Sequence, residues 1–176
     1  MDEGMMRPVL PAHAVELGRI GATEVPFLAQ LDVRCDPADA HRLGFPGEPN
    51  TVAGDMARGV LWLGPDEWLV VGAPGTEATT TTELHTALAG THHSIVDVGA
   101  NRTVIELTGA ERHMALATGC SLDLEPAGGW SPGRCAQTLF GRAPVLLQEL
   151  EAATRVFVRP SFAAYVVERL TAAVAR

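Results

Sequence analysis

Residues 94–109 read S-I-V-D-V-G-A-N-R-T-V-I-E-L-T-G and lie in the middle of a chain of 176 residues. Ile95, Val96 and Val98 form an apolar run, and Gly99-Ala100-Asn101 supplies residues that tolerate turn backbone angles. From Thr103 to Leu107 the β-branched residues return. Thr108 and, three residues on, Glu111 have the pattern of a capping box. The stretch thus predicts a strand pair joined by a tight turn and leading into a capped helix that Gly119 stops.

Working outward, the pattern repeats the mixture. Val60–Leu63 and Glu67–Val71 bracket Gly64-Pro65-Asp66 as a hairpin, with Trp62 and Trp68 flanking the turn. Arg134–Phe140 and Ala143–Leu150 bracket Gly141-Arg142 as a second hairpin, and residues 154–159 form one more strand. Residues 27–35 alternate as a half-buried strand. Asp36 then caps a short helix with Pro37 at its first position. A helix is expected over 76–89, closed by Gly90 and weakened by the run Thr79–Thr82. Residues 123–133 read as a loop. Ser161 is expected to cap a final helix striped by Phe162, Val166, Leu170 and Val174. Hairpins without strict strand–helix–strand alternation predict an α+β fold with mainly antiparallel sheets in two small sheet-and-helix lobes. Residues 1–24 read as an N-terminal arm and 25–176 as one domain, its lobe boundary near residue 91. The apolar final helix and the arm are expected at subunit contacts.

Bulk properties exclude several function classes. A hydrophobic fraction of 47% supports a packed core. A net charge of −8 disfavours nucleic acid and anionic membrane. No apolar run is long enough for a membrane span, and the acidic start Met1-Asp2-Glu3-Gly4 does not resemble a secretory signal. Cys35, Cys120 and Cys135 lack paired spacing, which suggests buried thiols in a reducing cytoplasm.

Candidate chemistry is sparse. His92 and His93 are neighbours whose side chains diverge on a strand, and His85 lies across the Gly90 break, so no metal site is expected. No nucleophile elbow, P-loop or dinucleotide fingerprint occurs. Of the carboxylates Asp66, Asp97, Glu106 and Asp123, Asp97 is the most suggestive. Its expected role is to hold the 99–101 turn or pair with Arg102. Cys135 beside Arg134 is the one candidate reactive thiol, with packing as the expected explanation.

Five pieces in order carry a resemblance: L-G-P-D-E-W-L-V at 63–70, residues 96–109, G-C-S-L-D-L at 119–124, P-G-R-C-A-Q-T at 132–138 and R-P-S-F-A-A-Y at 159–165. Together they resemble the gamma subunit of heterotetrameric sarcosine oxidase, a family similar to the folate-binding aminomethyltransferases such as the glycine-cleavage T-protein. The resemblance implies a non-catalytic chain in a complex with alpha, beta and delta subunits. That complex oxidises sarcosine to glycine with release of hydrogen peroxide and passes the one-carbon unit to tetrahydrofolate. FAD, FMN, NAD and zinc are implied for the other subunits, none for this chain. The D-x-S strand start of the aminomethyltransferases matches Val96-Asp97-Val98-Gly99, with Gly99 in place of serine. Asp97 and Arg102 are thereby the expected remnant of a folate site. The hairpin in which those enzymes hold a catalytic carboxylate reads Gly141-Arg142-Ala143-Pro144-Val145-Leu146-Leu147, with no acid before Glu149. Two alternatives stand beside this reading: a stand-alone folate-dependent aminomethyl or C1 transferase, and a folate-fold accessory factor without enzyme activity.

Overall fold

The computed structural model describes residues 8–10, 14–17, 19–55 and 58–174. Among the described residues, eleven strands form two antiparallel sheets. In chain order they are β1 (Ala14–Leu17), β2 (Ile20–Val25), β3 (Ala29–Cys35), β4 (Val52–Gly54), β5 (Arg58–Gly64), β6 (Glu67–Gly72), β7 (His93–Asp97), β8 (Thr103–Thr108), β9 (Cys135–Phe140), β10 (Ala143–Glu149) and β11 (Ala153–Val158). The helices are α1 (Pro37–Arg42), α2 (Glu77–Ala87), α3 (Arg112–Ala117) and α4 (Pro160–Val174). One sheet has the order β1-β2-β8-β11-β10-β9 and the other β4-β5-β6-β3-β7.

Period-2 alternation along the strands sorts the side chains into layers. On β5 and β6, Val60, Trp68 and Val70 pack with Ala40 of α1 and with Leu84 and Leu88 at α2. Their neighbours Leu61, Leu63, Leu69 and Val71 face the other sheet and meet Val104, Leu146 and Phe157. On that sheet Ile105, Val145, Leu147 and Val156 point away, towards Leu116 of α3 and Ala163, Val166 and Leu170 of α4. The molecule is thus helix, sheet, sheet, helix. Each fully buried Leu, Val or Phe contributes about 1.5–3 kcal/mol, so the sheet-on-sheet layer alone is a large part of the driving force. At one corner the sheets join: Cys135 N–H donates to the Asn50 carbonyl at 2.9 Å, Val52 N–H to Gly133 at 2.8 Å and Gln137 Nε2 to Leu63 at 3.0 Å.

Local chemistry explains most of the elements. Asp36 caps α1 as expected, its Oδ1 accepting from Ala38 N–H at 2.8 Å with Pro37 at the first position. The threonine run lies within α2, where Thr80 is buried against the sheet side and the Thr82 and Thr86 hydroxyls donate to carbonyls four residues back, at 2.9 and 2.8 Å. Trp68 is buried against Phe45, and its Nε1 donates to the Pro46 carbonyl at 2.9 Å.

Several expectations are corrected. Residues 94–109 are not a hairpin: β7 pairs with β3 in one sheet, while β8 lies between β2 and β11 in the other. The 98–102 segment carries the chain from the five-stranded sheet to the six-stranded one, which β1 and β2 also join. The capping box does not form, because Thr108 is held in the ladder opposite Gly21 and Ala153. Helix α3 starts at Arg112, and Glu111 bonds to Arg19 at 2.9 Å instead. Of the arm read over residues 1–24, residues 14–17 form strand β1 and residues 20–24 lie in strand β2, while residues 1–7, 11–13 and 18 lie outside the described residues. Helix α4 starts at Pro160, whose missing N–H suits that position, so Ser161 lies inside the first turn. Two of its four stripe residues, Val166 and Leu170, are fully buried in the chain's own core, and Phe162 and Val174 pack half-buried against it.

Candidate functional site

The crossover between the sheets holds both residues expected to form a folate site. Asp97 ends β7, and its Oδ1 accepts from Gly99 N–H at 2.9 Å. Val98 N–H donates to the Gln30 carbonyl and Asn101 N–H to the Val98 carbonyl, each at 2.8 Å. The carboxylate thus sits in a turn stitched to β3. Arg102 follows, its carbonyl accepting from Gln30 Nε2 at 2.9 Å. Burial pulls the Arg102 guanidinium down from its ordinary value, while Asp32 and Glu67 draw it back up and Arg159 pushes it down again. Arg102 therefore faces two carboxylates of the opposite sheet. Burial also pushes the Glu67 carboxyl up, and Asp32 adds to this by repulsion and by sharing a hydrogen bond. The result is a mixed-charge patch made of Asp32, Glu67, Arg102 and Arg159.

The hairpin expected to carry a catalytic carboxylate is pure scaffold. Val145, Leu146 and Leu147 are all buried, in register with Val158, Phe157 and Val156 of β11. The next acid, Glu149, is only 2% exposed. Its Oε1 accepts from Arg112 Nη2 at 2.7 Å and from His113 Nε2 at 2.9 Å. Its Oε2 accepts from Trp130 Nε1 at 2.8 Å and from Thr154 Oγ1 at 2.5 Å. One carboxylate thereby ties α3, the 123–133 loop and β11 to β10. Sequence reasoning passed over this cluster because its members are far apart in the chain. The available signal was parity: Glu149 falls on the same strand face as the buried Val145 and Leu147, so it needed buried partners.

Beside this cluster lies a cavity of about 390 Å³, between the β4 edge, the end of β8 and the β10–β11 turn. Val52 and Ala153 give it apolar walls, and Asp55, Glu106, Glu149 and Glu151 are the charged groups of its lining. Glu106 accepts from Arg155 at 3.1 Å. A lining with carboxylates and no cationic side chain repels phosphates and carboxylates. Asp97 and Arg102 are not among its lining residues.

The thiols are structural. Cys135 is fully buried, and its Sγ lies 3.4 Å from the Thr51 carbonyl and 3.5 Å from the Trp62 carbonyl. Burial pushes its thiol up to about 11, with the Trp62 carbonyl contact and Arg134 only partly opposing, so it is not an activated nucleophile. Asp66 bonds to Arg34 on the surface at 2.9 Å, and Asp123 accepts from Glu125 N–H at 3.0 Å. Among the described residues no three His, Cys, Asp or Glu side chains converge as a metal cluster. Nor is any helix long and apolar enough to cross a membrane.

Two packed antiparallel sheets with helices outside define an aminomethyltransferase-like fold. The glycine cleavage system aminomethyltransferase T from Bartonella henselae aligns over 86% of this chain and 45% of its own, with a TM-score of 0.65 at 12% identity. That likeness shows the fold alone. The family model for the sarcosine oxidase gamma subunit matches residues 38–176. Sarcosine oxidase subunit gamma of Corynebacterium sp. (strain P-1) is 32% identical over 169 residues, 90% of this chain and 82% of the relative. The Arthrobacter sp. subunit is 34% identical over 146 residues, 77% and 70% of the two chains. A chain of the heterotetrameric sarcosine oxidase from Corynebacterium sp. U-96, solved with pyrrole 2-carboxylate, aligns with a TM-score of 0.80 at 31% identity, over 93% of this chain and 88% of that one. The chain belongs to the sarcosine oxidase gamma subunit family.

Proposed function

We propose that this chain is the gamma subunit of a heterotetrameric sarcosine oxidase and gives its complex structure rather than reacting groups. The observation that carries the reading is the likeness to a chain of the Corynebacterium sp. U-96 complex along nearly its whole length. In this reading its partners are the alpha, beta and delta subunits, in the cytoplasm. The complex oxidises sarcosine to glycine, releases hydrogen peroxide and passes the one-carbon unit to tetrahydrofolate.

The role without chemistry follows from the carboxylates. A general acid or base needs a free ionisable group within hydrogen-bond reach of the reacting atom. Val145 and Leu146 occupy the hairpin, and both oxygens of Glu149 are already taken by fixed donors. The chain also does not fit the cofactors of such a complex. Antiparallel sheets offer no parallel βαβ switch point for a dinucleotide or flavin, and a closed zinc site needs four convergent ligands. FAD, FMN, NAD and zinc are therefore assigned to the other subunits.

Asp97 and Arg102 are proposed as the remnant of a folate site, with the crossover turn kept for its structural use. Calorimetry with tetrahydrofolate tests this part: micromolar binding lost in Asp97→Asn would restore the stand-alone transferase reading. For the main proposal, hydrogen peroxide release per assembled complex is measured with Glu149→Gln in place of the native chain. Turnover by the complexes that do assemble stays at the native level. A fall in turnover with unchanged subunit stoichiometry would show that this chain takes part in the chemistry.

A further inference from the structure

Helix α2 and strand β7 are joined by a turn that folds the chain back at Gly90, and this brings together two histidines that are eight residues apart. His85 Nδ1 lies 2.8 Å from His93 Nε2, and the ring centroids are 5.1 Å apart at an interplanar angle of 53°. The other nitrogen of His93, Nδ1, lies 2.9 Å from the Thr91 carbonyl. A carbonyl only accepts, so His93 Nδ1 carries the proton and Nε2 of the neutral ring is a bare lone pair aimed at His85. Thr91 is itself fixed to the helix end, its N–H and Oγ1 donating to the Leu88 carbonyl at 3.1 and 2.9 Å. The carbonyl that orients His93 is thus held rigidly. Fixing one ring nitrogen by a backbone carbonyl is the usual way a metal-binding imidazole is prepared.

We infer that His85 and His93 form a two-imidazole clamp for a divalent transition-metal ion. His85 binds through Nδ1 after its proton moves to Nε2, and a rotation of the exposed His85 ring turns its lone pair from the His93 nitrogen towards the shared ion. The step is a tautomer change without redox or a net proton. At a metal–nitrogen distance of about 2.0–2.1 Å, nitrogens separated by 2.8 Å subtend about 84–89°. That is a cis angle of square-planar or octahedral coordination, which suits copper(II) or nickel(II), and not the tetrahedral angle zinc takes in structural sites. No third His, Cys, Asp or Glu among the described residues completes a cluster, and His85 is exposed. The remaining positions are therefore filled by exchangeable solvent ligands. Magnesium and calcium, which require oxygen donors, are refused.

The test titrates the full-length chain with copper(II) sulfate, followed by electron paramagnetic resonance and by thermal unfolding. At one equivalent the spectrum shows hyperfine splitting from two imidazole nitrogens, and unfolding moves to higher temperature because the ion ties helix to strand. His85→Ala, at an exposed position, and His93→Ala, at a half-buried one, each weaken binding about tenfold or more, reduce the nitrogen count to one and abolish the thermal shift. His92→Ala leaves all three readings unchanged, and excess magnesium does not displace the ion. Splitting from one nitrogen or none in the native chain, or native-like copper binding by His85→Ala, would overturn the inference. So would a loss of binding in His92→Ala.

Discussion

Replacing Glu149 with glutamine tests whether one buried carboxylate organises the six-stranded half of the molecule. All four partners of Glu149 are donors: Arg112 and His113 on one oxygen, Trp130 and Thr154 on the other. A glutamine of the same shape must turn an NH2 group towards one of these pairs. The Thr154 hydroxyl can rotate to accept, so the amide takes that side and strands the Trp130 N–H. Leaving a buried donor unpaired costs about 1–3 kcal/mol, and losing the charge from the bonds to Arg112 and His113 removes a further part of about 1.5–3 kcal/mol. Arg112 retains a route to solvent, so we expect a net loss of about 2–4 kcal/mol, a large share of the 5–15 kcal/mol typical of a domain. With a urea slope of about 2 kcal/mol/M, the unfolding midpoint falls by about 1–2 M. Circular dichroism reads the whole chain, and tryptophan fluorescence includes Trp130 directly. Thr154→Val alone costs about 1 kcal/mol, and the double variant costs less than the sum, as expected within one network. A Glu149→Gln chain within 0.5 kcal/mol of the native one would refute the assignment of Glu149 as the anchor.

Three further outcomes follow from single sites. Burial and Asp32 raise the Glu67 carboxyl, so the folded state binds its proton more tightly than the unfolded chain. The stability this proton contributes is complete below the ordinary carboxylate range and is lost as pH rises through the raised value. Glu67→Gln is therefore more stable than the native chain at neutral pH in urea titrations, and the advantage disappears in acid; an advantage that grows in acid would contradict the assigned sign. In a Cys35→Ser, Cys120→Ser chain, Ellman's reagent at pH 8 leaves Cys135 untouched until urea unfolds the protein, because burial holds its thiol at about 11; prompt reaction of the folded chain would refute this. Gly109 has a φ of 95°, and a Cβ there would meet the Arg19 carbonyl oxygen at 2.2 Å. Gly109→Ala is expected to cost about 2 kcal/mol, lowering the melting temperature by about 4–8 °C in scanning calorimetry; an unchanged melting temperature would refute the clash.

What the sequence makes legible is what local chemistry decides. The Asp36–Pro37 start of α1, the 58–72 and 135–149 hairpins, and the presence, though not the starts, of α3 and α4 follow from neighbours in the chain. Asp97 is legible as a turn carboxylate for the same reason: its partner, Gly99, is two residues away. Partner choice between strands is not local. The apolar runs of β7 and β8 look alike, and nothing within 94–109 says that one joins β3 while the other joins β2 and β11. Once β8 is held on both sides, its ladder overrides the capping signal at Thr108. Strands β1 and β2 are hidden for a similar reason. Their glycine-interrupted run, Ala14–Val25, has weak strand character alone and takes its form from an edge that β8 supplies. The Glu149 cluster and the His85–His93 pair lie beyond sequence reading, because each requires turns and registers that only the folded chain sets.

Affinity purification of the tagged chain, co-expressed with its neighbouring genes and weighed by native mass spectrometry, tests whether it is a subunit of a heterotetramer. The expected result is a complex of four different subunits in equal amounts, with flavin absorbance and sarcosine-dependent hydrogen peroxide release. Recovery of the chain alone, monodisperse and without flavoprotein partners, would contradict it.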